Sequence, residues 1–390
     1  MKYLVLILMF IILPSGCVFA QYEASVPEEM MNREYAMKAD SLGRKILAEK
    51  GSYSTGIELF MRSATIYKRL GGETDPDYSN AMALLAKCYM RNDQLQDAIN
   101  VLCKLSDVYK KNEPVSEQHA IILDNLSLYY SMADNPSKAL EISKEVLQIC
   151  NQIELSKEDL LYVLVHAAEN YAAMKEYTEA VRIQLRALDL AHKLYGRGSE
   201  KYIGELQYLQ QYYEGANDKN NAKKTAETIE ELEKPGGGVR SVDELKTAED
   251  CAYHRGDAYW CADYFINHKV SADNALGAGE YATAWCISTD ELTLEIDECH
   301  AKYLDSPTEI TAYLCACLII GQTCGVKKLT REMERLAMQW TVKHYQFNRD
   351  ILVNKSAELD KLVEYLENDT LEEKLIEIFP DKEESDESLE

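Results

Sequence analysis

The chain contains 390 residues, of which 46% are apolar, and its formal net charge at pH 7 is −24. This apolar content is ordinary for a folded protein, and the length fits two domains. The acidic excess repels nucleic-acid phosphates and anionic membrane surfaces, so neither is an expected partner. Only 18 glycines and 8 prolines are present, whereas a β-rich chain needs many turns, so the composition favours an all-α fold.

The first twenty residues have the pattern of a secretory signal peptide. Lys2 supplies the positive charge, residues 3–13 form an apolar run of eleven, and residues 18–20 end in an alanine that signal peptidase accepts. We therefore predict that residues 1–20 are removed by cleavage after Ala20. The mature chain would then be exported to the periplasm, the cell surface or the medium.

A lipid anchor is the alternative for this leader. Residues 13–17, Leu-Pro-Ser-Gly-Cys, resemble a bacterial lipobox, in which cleavage before Cys17 leaves a lipidated cysteine. No later apolar segment approaches the ~20 residues of a transmembrane helix, so no membrane span is predicted.

A repeat becomes visible when tyrosine and alanine positions are compared along the chain. In four places a tyrosine precedes an alanine by nine residues: Tyr89 and Ala98, Tyr130 and Ala139, Tyr171 and Ala180, Tyr213 and Ala222. The alanines follow one another at steps of 41, 41 and 42 residues, and Gly56 lies 42 residues before the first of them. Five registered copies indicate an internal repeat of helical hairpins.

Each repeated position has a physical reason. Two antiparallel helices joined by a tight turn approach closely only where a small residue stands near the start of the second helix. Each first helix has two apolar residues three positions apart, as Leu123 and Leu126 are, and this spacing gives the helix an apolar face. One hairpin cannot bury this face alone, so neighbouring hairpins must stack into a solenoid.

This pattern resembles the tetratricopeptide repeat, whose usual period is about 34 residues. The longer period adds about two helical turns and resembles the repeats of kinesin light chain. Residues 70–77, Leu-Gly-Gly-Glu-Thr-Asp-Pro-Asp, resemble the inter-repeat loop of that family. The resemblance covers about Arg33 to Leu232 and implies an α-α superhelical solenoid that binds an extended peptide or protein partner in a concave groove.

The resemblance also implies which residues line that groove, because the first helix of each hairpin faces it. These positions are Asn80, Lys87, Arg91, Asp124, Leu128, Tyr162, Glu169, Gln207 and Gln211. Lys87 and Arg91 lie one helical turn apart and could jointly hold a carboxylate. The alternative interpretation of the same residues is an ordinary solvated helix face.

Residues 235–240 contain the strongest break in the helical pattern, one proline followed by three glycines. We therefore predict a solenoid of about five repeats over 33–234, a linker over 235–240 and a second α-helical domain over 241–380. The second domain would consist of divergent repeats and capping helices. Residues 381–390 form an acidic tail that we expect to be disordered.

Cysteines and histidines concentrate after residue 250 and give the one candidate for chemistry. The pairs are Cys251 with His254, Cys261 with His268, and Cys299 with His300. Zinc sites usually contain Cys-x-x-Cys pairs, which this chain lacks. We therefore predict neither metal ligands nor catalytic residues nor a cofactor, and expect most of the cysteines to be buried thiols.

The sequence thus predicts a non-enzymatic, exported scaffold that binds a protein or peptide partner. Two alternatives belong to other classes. One is an outer-membrane helical lipoprotein that acts in assembly or glycan capture, and the other is a metal-dependent sensor or enzyme that uses the Cys/His pairs.

Overall fold

A computed structural model describes residues 26–381 of the chain. The predicted signal peptide, the lipobox cysteine Cys17 and the acidic tail beyond Asp381 lie outside these described residues.

The described chain is 74% helical, which confirms the all-α fold and the consecutive helix pairs. Two short 3-10 helices, Glu28–Met30 and Val242–Glu244, accompany the α-helices, and within 26–381 strand pairing is limited to one bridge between Thr293 and Lys328. None of the helices in this range is both long and apolar enough to cross a membrane. The α-helices are α1 Arg33–Ala48, α2 Tyr53–Gly71, α3 Pro76–Arg91, α4 Leu95–Asn112, α5 Glu117–Met132, α6 Pro136–Cys150, α7 Lys157–Ala173, α8 Tyr177–Tyr195, α9 Glu200–Gly215, α10 Lys219–Leu232, α11 Ala248–Tyr253, α12 Arg255–Asn267, α13 Ala275–Ser288, α14 Glu298–Ala301, α15 Pro307–Cys324, α16 Arg331–Asn348, α17 Ala357–Glu367 and α18 Leu371–Ile378.

The chain divides into two compact units, and the division falls inside α8, between Ile183 and Gln184. The predicted linker 235–240 lies within the second unit and packs there. A Cβ on Gly238 would lie 2.4 Å from the Cα of Gly198, so this close backbone approach requires glycine. The assignment of 33–234 and 241–380 to separate domains stays a prediction.

The same turn ends the four first helices that carry the repeat tyrosine. Its central residue has a positive φ of 56–62°, and it is Asp93, Asp134, Lys175 or Asn217. The next residue donates its backbone N–H to the carbonyl of the repeat tyrosine five residues earlier, over 2.8–2.9 Å. This 6→1 hydrogen bond is the Schellman motif, which satisfies a carbonyl at the helix end while the chain reverses.

The repeat alanines and tyrosines have separate packing roles. Ala98, Ala139 and Ala180 are fully buried, as a close helix–helix contact requires. The hydroxyl of Tyr89 instead reaches Met61 Sδ on the second helix of the preceding pair, at 3.7 Å, and Tyr130 meets Cys103 in the same way. The tyrosines therefore hold consecutive hairpins together.

The core of the second unit surrounds α15. This helix is apolar around most of its circumference and packs against α12, α13 and α16. Fully buried Trp285 donates its indole N–H to the carbonyl of Cys251 at 2.7 Å. Cys315 and Cys317 are buried in the same core, and all ten cysteines between 26 and 381 are free thiols.

We expect Lys175→Gly to stabilise the first unit by about 0.5–1 kcal/mol, because Lys175 holds a φ of 62° that costs an L-residue energy but not glycine. Lys175→Ala is the matched control, since it also removes the charge but keeps the Cβ. Urea unfolding followed by circular dichroism measures both. Equal stability of the two variants would contradict the assigned turn conformation.

His344, only 3% exposed, gives the second unit a pH dependence. Burial lowers the pKa of its imidazole to about 4, below the ordinary value of about 6.5. Between these two values the unfolded chain binds more protons than the folded chain. The free energy of unfolding therefore falls as pH falls from 6.5 to 4, by roughly 3 kcal/mol in total.

We expect His344→Gln to flatten this dependence by up to about 1.4 kcal/mol per pH unit. Trp260, Trp285 and Trp340 all lie in the second unit, so urea unfolding followed by tryptophan fluorescence at pH 4.5–7.5 measures it. His268→Gln, at an exposed histidine of this unit, is the control. A wild-type slope in His344→Gln would refute the assignment.

Candidate functional site

The first candidate site is the face formed by the first helices α3, α5 and α7 of the first unit. Asn80, Lys87 and Arg91 are exposed on α3, and Tyr162 is 56% exposed on α7. Leu128 and Glu169 are half-buried. Between residues 26 and 381, neither Lys87 nor Arg91 forms an ion pair with a carboxylate. Two exposed cations are therefore uncompensated in a strongly acidic chain.

These predicted residues occupy equivalent positions in successive repeats. Lys87, Leu128 and Glu169 are separated by steps of 41 residues, and Asn80 and Tyr162 by two such steps. Each step moves from one first helix to the corresponding point of the next. The face therefore presents rows of side chains, one from each repeat, as an extended ligand would contact them.

Asp124, which the sequence placed in the groove, is 8% exposed. Its Oδ2 accepts a hydrogen bond from Nδ1 of His166 on α7 at 2.9 Å, because neighbouring first helices touch at this point. The imidazole of His166 in turn stacks on Tyr162, with 6.5 Å between ring centroids. Asp124 thus positions other groups of the face rather than lying open on it.

Gln207 and Gln211 are exposed on α9, in the second unit. The assignment of all nine residues to one partner site stays a prediction.

A second candidate site lies in the second unit, where two histidines meet one aspartate. Asp257 Oδ2 accepts from Nε2 of His192 at 2.6 Å and from Nδ1 of His254 at 2.9 Å. Its Oδ1 accepts the backbone N–H of Arg197 at 2.8 Å. We call His192, His254 and Asp257 the histidine–aspartate cluster.

Close backbone contact brings these three side chains together. His192 lies in the last turn of α8, and Asp257 lies in the first turn of α12. A Cβ on Gly256 would lie 2.5 Å from the N of Gly196 and 2.6 Å from the carbonyl oxygen of His192. Only glycine therefore allows the start of α12 to approach the end of α8 so closely.

His192 and His254 of the cluster form part of the wall of an open cleft of about 610 Å³, which is also lined by Tyr202, Arg240 and Tyr253. Glu244 lies at the same wall, with its Oε2 3.7 Å from Nε2 of His254, and Arg240 fixes this carboxylate with two hydrogen bonds of 2.6 and 2.9 Å. Polar side chains thus converge where the core of the second unit meets solvent.

Asp257 is a buried anion whose charge is compensated. Burial acts to raise its pKa, but the hydrogen bonds from His192 and His254 outweigh this effect and hold the pKa below its ordinary value. The fully buried carboxyl is therefore ionised at neutral pH.

The Cys/His pairs seen in the sequence do not assemble. Cys251 is buried in the core, where burial raises the pKa of its thiol, while His254 turns to Asp257. His268 stacks on Tyr264, with ring centroids 4.0 Å apart. His300 is bound by Asp297 and Tyr313, at 2.7 and 2.9 Å.

His192 and Asp257 were not among the residues predicted from the sequence. Asp257 follows His254 by three residues, so the two share one local stretch and a signal was present. His192 precedes His254 by 62 residues, and its repeat register marks it as an ordinary second-helix residue. Only the contact between α8 and α12 reveals its role.

Comparison with known proteins gives the following similarities. Residues 160–200 match the family model of the tetratricopeptide repeat. Among solved structures, a Podosopora anserina protein described as a kinesin light chain with nearly identical TPR-like repeats is 17% identical, with a TM-score of 0.45 over 52% of this chain and 96% of that one.

BtubC (BKLC) from P. vanneervenii is 15% identical, with a TM-score of 0.46 over 58% of this chain and 90% of that one. The MamA protein is 17% identical, with a TM-score of 0.38 over 51% of this chain and 91% of that one. Among curated proteins, none matches the chain.

The family match spans α7 and α8, the hairpin that contains Tyr171 and Ala180. Hairpins with the same turn, the same carbonyl acceptor and the same spacing precede and follow it. Residues 160–200 therefore form a tetratricopeptide repeat, within a series of hairpins that share the same turn.

Proposed function

We propose that the protein is a non-enzymatic, exported scaffold that binds a protein or peptide partner along the first-helix face of its repeats. The tetratricopeptide repeat fold suggests a role in protein interaction, and one observation indicates the kind of partner. Lys87 and Arg91 are exposed and unpaired among residues 26–381, in a chain whose net charge is −24. Uncompensated cations of this kind attract an acidic partner and fix where it binds.

The surrounding residues support an extended partner of mixed character. Leu128 and Glu169 occupy on α5 and α7 the position that Lys87 has on α3, and Met132, 53% exposed, occupies that of Arg91. Exposed Tyr162 adds a large amphipathic ring, a residue type that often anchors interfaces. We infer a partner segment that carries a carboxylate opposite α3 and apolar side chains opposite α5 and α7.

This binding mode needs little rearrangement of the scaffold. The first helices are fixed by the turns at their ends and by contacts such as that between Asp124 and His166. A preformed surface of this kind leaves most of the ordering cost to the partner.

We expect Lys87→Glu combined with Arg91→Glu to weaken partner binding by about tenfold or more, because two charge-assisted contacts are lost and two repulsions added. Affinity capture from an envelope extract, quantified by mass spectrometry, compares this variant with the wild-type chain. The partner identified in that way is then titrated against both proteins.

Lys110→Glu combined with Lys111→Glu is the matched control, because it makes the same charge change at exposed positions of α4, a second helix. Circular dichroism shows that both variants fold. Equal loss in the two variants would indicate a general charge effect, and no loss in either would refute the proposed face.

Export is part of the proposal and rests on the leader sequence. We expect the mature chain to begin at Gln21, which intact mass and N-terminal sequencing of protein from the native host will show. Cys17→Ala should then leave processing unchanged. If the lipobox is used instead, the wild-type chain carries a lipid on Cys17, and the variant stays unprocessed at that site.

A further inference from the structure

We infer that His192, His254 and Asp257 bind one divalent first-row transition metal ion, for which Zn²⁺ is the natural probe. The donor atoms are Nε2 of His192, Nδ1 of His254 and Oδ2 of Asp257, and all three lie within 4.8 Å of one another. Two imidazoles and one carboxylate are a donor set that suits zinc and its neighbours. Calcium and magnesium prefer oxygen ligands alone and are disfavoured here.

The separations between donors are close to those that a metal requires. Nitrogen and oxygen ligands at 2.0–2.1 Å from tetrahedral zinc lie roughly 3.3 Å apart. The Nε2 of His192 is 2.6 Å and the Nδ1 of His254 is 2.9 Å from Oδ2 of Asp257. Each imidazole nitrogen needs to move away from Oδ2 by only about half an ångström.

The proton of the His254 imidazole has an acceptor nearby. In the hydrogen-bonded arrangement each ligating nitrogen carries a proton, and on metal binding this proton passes by tautomerisation to the other ring nitrogen. For His254 that nitrogen is Nε2, which lies 3.7 Å from Oε2 of Glu244. A metal-bound histidine usually donates its second N–H to such a carboxylate, which orients the ring and raises its basicity.

The aspartate is also held in the orientation that a ligand needs. The backbone N–H of Arg197 occupies Oδ1 of Asp257 at 2.8 Å, which leaves Oδ2 directed at both imidazoles. Arg240 fixes Glu244 in the same way. Asp257 therefore has an outer partner in place, as ligands of established metal sites do, and the carboxylate nearest His254 is itself held in position.

The cleft supplies the path of entry and an open coordination position. His192 and His254 line a solvent-connected space of about 610 Å³, so an ion with a bound water can reach the buried carboxylate. Three protein ligands with the fourth position open to a cleft are the arrangement of a zinc site that binds a further small ligand. This site is independent of the first-helix face, and either proposal can fail without the other.

Isothermal titration of the full, tag-free chain with ZnCl₂ after removal of metals by chelation tests the inference. We expect one site per chain with a dissociation constant in the micromolar range or below. We also expect saturating zinc to raise the melting midpoint of the second unit, followed by tryptophan fluorescence, by about 5 °C. His254→Gln should weaken binding by about 100-fold or more, and His268→Gln, outside the cluster, should leave it unchanged.

Glu244→Gln provides a second test that leaves all three ligands in place. We expect this variant to fold and to bind zinc about tenfold more weakly, because His254 loses the carboxylate acceptor for its second N–H. If His254→Gln fails to fold, Glu244→Gln alone tests the proposed site. The inference is overturned if the metal-free wild-type chain binds no stoichiometric zinc. It is also overturned if whichever of His254→Gln and Glu244→Gln folds binds zinc as tightly as the wild-type chain.

Discussion

The repeats depend on one reversal of the chain, a single residue in the left-handed conformation followed by a backbone hydrogen bond to the tyrosine carbonyl. Because the turn is so short, the second helix begins at once beside the first. The residue nine positions after the tyrosine then has to be small, as fully buried Ala98 and Ala139 are. The first helix is left with its tyrosine directed at the preceding hairpin, as Tyr130 is at Cys103. The period, the seams between hairpins and the exposed face of the first helices all follow from this geometry.

In the second unit the corresponding constraint is the contact between Gly196 and Gly256, which brings a carboxylate out of water beside the end of α8. A buried anion without partners would cost several kcal/mol, and removal of one partner from a buried ion pair typically costs about 3–5 kcal/mol. Asp257 meets this demand with two imidazole donors and one backbone donor. So many polar groups together would weaken an ordinary hydrophobic core. Elsewhere in this unit the core is filled by large aromatic side chains such as Trp285 and Tyr281.

The repeated hairpins could be predicted from sequence because their signals are local: a tyrosine, a turn and an alanine at fixed spacing. The exposure of Lys87, Arg91 and Tyr162 followed from the same register. Asp124 did not, since its burial depends on His166, 42 residues away on another helix. The histidine–aspartate cluster was missed for the same reason, since His192 belongs to a helix whose own pattern is that of an ordinary repeat. Residues that are adjacent in the sequence, such as Cys299 and His300, suggested a chemical site, but the folded chain does not bring these pairs together into one.

The position of the cluster argues against a purely structural role. An ion pair that only closes a core is often replaceable by apolar side chains of similar volume with little loss of stability. Here His192 and His254 line the cleft, and both hydrogen-bond to the buried carboxylate of Asp257. The backbone N–H of Arg197 fixes the orientation of the Asp257 carboxylate. Glu244 lies 3.7 Å from Nε2 of His254 and remains partly exposed, so it adds little stability as an ion pair. A binding site needs side chains that are held in one orientation even where this adds little stability. The residues of the second unit that could bind a ligand therefore lie at the cleft, and the repeat pattern does not identify them.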